Sequence, residues 1–331
     1  MKADLTLIRK LVHGAVEVKE ENGTVQMFRF APAERDAYRK YADYTLKTFA
    51  ASGIRLEFRT DAQSVVLAGT ASPASSRKFY YFDAAVNGVL CHHAGFESCE
   101  EHPEFRFEIP LGSGLREVCI YFPCLTRIGL NTLEFCGESV IEPVVKKHQL
   151  ICYGDSITQG YDARYPSLSY PNQLADALQA EMFNKAIGGD LFNPALAAAG
   201  ERIRPDLITV AYGTNDWSFS SRVSFMESCS AFFRNLTERY PDVPVLAVLP
   251  IWRTQCETRI TKVGSFSEMY EMIREITSDY PQIRLVNGLV LTFMQRDSKW
   301  VSHIFVNTLL LQRRPQDYLL QGKRRISTLF K

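Results

Sequence analysis

The chain has 331 residues, 46% of them hydrophobic and 23% charged, with a formal net charge of +1. That length exceeds what one compact core usually organises and favours two domains. The charge balance excludes an overall pull toward nucleic acid or anionic lipid, and no apolar run is long enough to span a bilayer.

The opening MKADLTLIRKLVHGAVEV shows two apolar patches broken by Arg9, Lys10 and His13. It lacks the apolar core of a signal peptide, which predicts a cytoplasmic protein. Up to about residue 146 the pattern is one of short strands. GTVQMFRF, GIRLEFRT, SVVLAGTA, KFYYFDAAVNGVL, FRFEIPL, REVCIYFP and NTLEFCG are rich in β-branched and aromatic residues. Ile54, Leu56 and Phe58 alternate with Arg55, Glu57 and Arg59, and Asn87-Gly88 marks a hairpin. No long helix is expected among these strands. PAERDAYRKYADYTLKTF is open between helix and coil. This half, residues 1–146, reads as an all-β sandwich.

From residue 147 the order becomes strand, loop, helix. QLICYG is a predicted strand and SYPNQLADALQAEM a helix, followed by MFNKAIGG and a small-residue helix NPALAAAGERI. Then come the strand PDLITVAYG, the helix RVSFMESCSAFFRNLTERYP, the strand VPVLAVLP, a helix around FSEMYEMIREITSDYP, and IRLVNGL. Apolar strands separated by helices predict a three-layer α/β domain with a parallel sheet, over 147–331. Its chemistry is expected at the carboxyl ends of the strands.

The eight cysteines (91, 99, 119, 124, 136, 152, 229, 256) show no two-residue spacing of a zinc or redox motif. They read as small reduced core residues, with one disulfide in the N-terminal half left open. His92, His93 and His102 have no partner at convincing ligand spacing and read as exposed loop histidines; neither metal nor cofactor is implied. Trp217 and Trp252 fall near strand ends and could line a cleft or cover the core.

Three strand ends carry unusual residues: Gly154-Asp155-Ser156, Gly188-Gly189-Asp190 and Gly213-Thr214-Asn215-Asp216. Each alone is an ordinary turn or cap. Together, and in this order, they resemble the SGNH (GDSL-type) hydrolase family. GDSITQG at 154–160 resembles its nucleophile block, NKAIGGD at 184–190 its glycine block, and GTND at 213–216 its Gly-x-Asn-Asp block. The resemblance covers about residues 148–290 and implies a flavodoxin-like parallel sheet. It implies an esterase acting through an acyl-enzyme on Ser156. The Ser156 N–H, the Gly189 N–H and the Asn215 amide would form the oxyanion hole. Asp155 and Asp216 read as structural residues that hold loops.

The layout also resembles two-domain carbohydrate esterases of the acetyl-xylan-esterase-like group, whose leading module is a jelly roll. The implied partner is a small ester or an acetylated saccharide.

A serine nucleophile needs a base, usually a histidine held by a carboxylate. The family takes this pair from Asp-x-x-His near its end, and no such block occurs in the last third of this chain. His303 is the one histidine after His148, with Asp297 six residues before it, in a tail that turns basic from about residue 291. Three readings stay open. His303 is the base, with Asp297 or alone; the tail has been replaced by a frameshift or rearrangement; or the protein is a catalytically silent carbohydrate-binding or interaction protein on the same scaffold.

Overall fold

The computed structural model describes residues 1–137, 140–199 and 203–289. The first element is a helix, Leu5–Leu11, whose N-cap Asp4 accepts the Leu7 N–H at 2.7 Å. Ile8 and Leu11 are buried, while Arg9 and Lys10 close the last turn. The first apolar patch is thus an amphipathic helix that Arg9 and Lys10 do not interrupt, and the chain passes at Val12 directly into a strand. The open segment 32–49 folds as two short helices, Pro32–Asp36 and Ala42–Lys47.

The remaining N-terminal strands form two antiparallel sheets. One runs in the order Glu17–Glu21, Thr24–Phe28, Thr126–Cys136, Ser64–Pro73, Glu104–Pro110. The other runs Val12–His13, Arg55–Thr60, Arg116–Tyr121, Tyr80–Val86, Val89–Phe96, with Ile141–Pro143 also pairing on Arg55–Thr60. Asn87 and Gly88 make the hairpin with φ of 50° and 75°, the left-handed pair that a two-residue turn requires. The two sheets share one apolar core, in which Phe58 meets Phe135 at 5.1 Å and Phe82 meets Phe105 at 5.0 Å between ring centres.

One alternation departs from expectation. Arg55 and Glu57 are buried along with Leu56 and Phe58, and only Arg59 reaches solvent. The second half of the chain covers that face. Arg55 bonds Asp176 at 2.6 Å and the Ala180 carbonyl at 2.8 Å, with Glu57 at 2.8 Å. Paired this way, the guanidinium keeps its charge although burial opposes it.

The second half contains a five-stranded parallel sheet in the order Ala180–Asn184, His148–Gly154, Leu207–Ala211, Val245–Val248, Ile283–Val286. Its strands are apolar on both faces because both are covered. Ile151 and Tyr153 join one core with Phe225 and Phe232 of the helix Arg222–Arg239, while Leu150 and Cys152 join another with Leu174 of the helix Tyr170–Leu178. The small-residue helix is shorter than expected, Pro194–Ala198. The helix Phe266–Thr277 starts on a reciprocal cap between Ser265 and Glu268.

Ala180–Asn184 ends the sheet, and its outer edge is covered rather than exposed. Arg55 donates to Ala180 O, Arg29 to Asn184 O at 2.9 Å and Ala186 O at 2.7 Å, and Gly14 N–H to the Glu181 carboxylate at 2.6 Å. Buried arginines from the antiparallel half thus satisfy carbonyls that a sixth strand would otherwise take. All eight cysteines are free thiols. Among the described residues no helix is long and apolar enough to cross a membrane.

Candidate active site

The strand His148–Gly154, second in the parallel sheet, ends at Gly154, where a side chain has no room. A Cβ there would lie 2.1 Å from Thr158 Oγ1 and 2.9 Å from the Ala211 carbonyl. The chain then turns into the short helix Ser156–Gln159, with Asp155 as N-cap accepting the Ile157 N–H at 3.0 Å. Ser156 is therefore the first residue of a helical turn, where backbone N–H groups have no partner within the helix. It is half-buried, and its hydroxyl makes no hydrogen bond to any described residue.

On the neighbouring edge strand the chain leaves Asn184 and reaches Gly188-Gly189. Gly189 has a φ of 88°, a conformation that favours glycine, and a Cβ there would meet the Tyr44 hydroxyl at 3.2 Å. This loop is tied directly to the Ser156 helix. Gly188 N–H donates to Gln159 Oε1 at 2.6 Å, and Asn184 Nδ2 donates to Thr158 O at 2.7 Å. It is also held from the antiparallel half, by Lys47 Nζ on Gly188 O and Tyr44 OH on Gly189 O, both at 2.7 Å.

On the other side of Ser156, Gly213 turns with a φ of 113° into the helix Thr214–Phe219. Asn215 Nδ2 donates to Asp190 O at 3.0 Å, which leaves its second amide hydrogen for another acceptor. The Asp216 carboxylate accepts the Phe192 N–H at 3.2 Å, and Asp190 accepts the hydroxyls of Tyr38 at 2.7 Å and Tyr212 at 3.1 Å. Arg253 Nη1, from beyond the next strand, donates to Thr214 O at 2.8 Å and Ser218 Oγ at 2.7 Å. Ser156, Gly189 and Asn215 thus sit at the carboxyl ends of three adjacent strands, joined by hydrogen bonds between their loops.

Three buried carboxyls surround this arrangement. Burial pushes Asp155, Asp190 and Asp216 each up to about 7, and for Asp216 the charge of Asp155 adds to the effect. Asp155 and Asp216 receive backbone N–H groups, which is what loop-fixing residues do.

The other residues singled out from sequence fall as follows. His303 and Asp297 lie outside the described residues. His92 and His93 are on the strand Val89–Phe96 rather than in a loop, because the hairpin after Gly88 continues through them. His93 Nδ1 bonds the buried Asp83 at 2.6 Å, and its ring lies 4.2 Å from that of Tyr165; His102 stacks on Phe96. His148 starts its parallel strand, at the end opposite Ser156. Trp217 is wholly buried, donating to Gly264 O at 3.0 Å, whereas Trp252 is 40% exposed.

Sequence reasoning missed Gln159, Asn184, Arg29, Tyr38, Tyr44 and Lys47. Gln159 and Asn184 stood inside the motifs themselves. The others act on positions about 140 to 160 residues away, and no local pattern encodes that.

Residues 152–308 match the GDSL-like Lipase/Acylhydrolase family. No curated protein matches the chain by sequence. Among solved structures, the fold is similar to SsfX3, a salicylyl-acyltransferase from a tetracycline biosynthetic pathway. The TM-score is 0.76 at 20% identity, over 90% of this chain and 92% of that one. It is also similar to an acetyl xylan esterase from the rumen bacterium Butyrivibrio proteoclasticus, with a TM-score of 0.61 at 12% identity over 94% of this chain and 99% of that one. A family two carbohydrate esterase from Clostridium thermocellum, solved with cellohexaose, has a TM-score of 0.60 at 14% identity over 82% of this chain and 94% of that one.

Proposed function

We propose, from the match of residues 152–308 to the GDSL-like Lipase/Acylhydrolase family, that the protein is a serine esterase that removes O-acetyl groups from saccharides. The observation that carries the reading is the set of bonds joining three strand ends: Gly188 N–H to Gln159, and Asn215 Nδ2 to Asp190 O. Such bonds hold three donors in place before a substrate arrives, as stabilisation of an oxyanion requires.

In the proposed reaction Ser156 Oγ attacks the ester carbonyl carbon and gives up its proton to a base. The negative charge gathers on the former carbonyl oxygen, which accepts from the Ser156 N–H, the Gly189 N–H and the Asn215 amide. Collapse expels the sugar alcohol, which takes the proton, and leaves an acetyl group on Ser156. Water then attacks that acyl-enzyme, and acetate leaves. His303 is the candidate base and Asp297 its candidate partner. In this reading residues 1–146 form a jelly-roll-like domain that braces the glycine loop of a hydrolase domain spanning 147–331.

The acetyl choice follows the acetyl xylan esterase and carbohydrate esterase neighbours. The test is release of acetate from acetylated xylo-oligosaccharides, and of p-nitrophenol from its acetate, by wild type, Ser156→Ala and His303→Ala. Turnover by wild type alone is the expected result. Equal rates for wild type and Ser156→Ala would sink the reading, and an unimpaired His303→Ala would remove only the base assignment.

A further inference from the structure

The Gly188 carbonyl and the Gly189 N–H are the two ends of one peptide unit. Lys47 Nζ donates to that carbonyl at 2.7 Å. Lys47 is half-buried, lies 4.7 Å from the Tyr44 ring centre, and pairs with no carboxylate among the described residues. Its backbone is fixed in turn, since Lys47 O accepts from Arg29 Nη2 at 2.9 Å. A full positive charge is therefore held against one backbone carbonyl.

Hydrogen bonds in a chain polarise one another, and a charged donor is roughly twice as strong as a neutral one. A cation on the carbonyl oxygen draws electron density through the amide and makes its N–H a better donor. Tyr44 acts on the next peptide unit. Its hydroxyl holds Gly189 O at 2.7 Å, and the N–H of that unit, on Asp190, is directed to Ile187 O at 3.2 Å. Tyr44 therefore fixes the turn, whereas Lys47 both fixes it and places its charge on the peptide whose N–H, that of Gly189, is the proposed oxyanion donor.

We infer that Lys47 is a positioning residue that polarises the Gly188–Gly189 peptide and so strengthens the Gly189 N–H as oxyanion donor. The inference rests on the esterase reading above. Because the oxyanion carries its charge in the transition state, the gain falls on kcat rather than on KM.

The test is steady-state hydrolysis of p-nitrophenyl acetate by wild type, Ser156→Ala, Lys47→Arg, Lys47→Gln, Lys47→Met and Tyr44→Phe, with a thermal midpoint for each. Losing the charged donor in Lys47→Met should lower kcat about three- to tenfold with KM within about twofold. Lys47→Arg should restore most of the rate, and Lys47→Gln, which keeps a neutral donor, should fall between. A glutamine variant equal to wild type would overturn the polarisation, since a neutral donor would then suffice. So would a methionine variant equal to wild type, or a loss confined to KM. If Lys47→Met proves unstable, the arginine–glutamine pair decides in its place. Equal rates for wild type and Ser156→Ala would remove the esterase reading and this inference with it. An inert Ser156→Ala beside an unaffected Lys47→Met would remove this inference alone.

Discussion

The two walls flanking Ser156 are built in different ways. The glycine loop is held from the antiparallel half by Arg29, Tyr38, Tyr44 and Lys47. The Asn215 helix is held from within the parallel half, by Arg253 on Thr214 O and by Trp217 on Gly264 O. One wall is therefore braced directly by the antiparallel half, whereas the other is braced from its own sheet and meets that half through its bonds to the glycine loop. The antiparallel half contributes to the site by fixing backbone, in addition to burying an edge strand.

The largest effect should come from breaking the docked wall. Arg29 is fully buried, donates to the carbonyls of Ala50, Asn184, Ala186 and Lys47, and has its guanidinium pulled down to about 9 by burial. Arg29→Met would strand those carbonyls, lowering stability by about 3–5 kcal/mol in urea unfolding and reducing esterase activity with it. On the other wall, Asn215→Ala should leave stability nearly unchanged while lowering kcat about a hundred- to a thousandfold. If Asn215→Ala instead unfolded the protein, the contrast between the walls would fail.

Arg253→Ala should be milder, about tenfold in kcat, because the Thr214 and Ser218 contacts are half-buried and water can replace them. The smallest effect concerns pH. Asp216 titrates near 3.8 when exposed and about 7 in the fold. Its folded value is raised, so the associated stability is present below about pH 4 and is lost as pH rises toward about 7. Asp216→Asn keeps an acceptor for the Phe192 N–H and removes the titration. Its urea midpoint should fall less than that of wild type across this window, and identical pH profiles would contradict the assignment.

Much of the parallel half was legible because its strands are apolar on both faces and its helices carry clear caps and stripes. The motif residues were legible because backbone demands left marks: Gly154 where no Cβ fits, Gly189 and Gly213 where φ is positive. What brings the motifs together was not. Arg55 and Glu57 looked like a solvent face and are buried, since the surface covering them lies more than a hundred residues away. The helix Leu5–Leu11 was obscured by Arg9 and Lys10, which break the apolar run without breaking the helical stripe. Tyr44 and Lys47 lay in a segment of ambiguous pattern, and only the docked structure gives them partners.

The central claim is that Ser156 is a nucleophile facing a preformed oxyanion hole. Mass spectrometry of the intact protein after treatment with a fluorophosphonate tests it most directly. The account predicts a single adduct, located on Ser156 by peptide mapping and absent from Ser156→Ala. An adduct that persists in Ser156→Ala, or an unlabelled wild type, would contradict it.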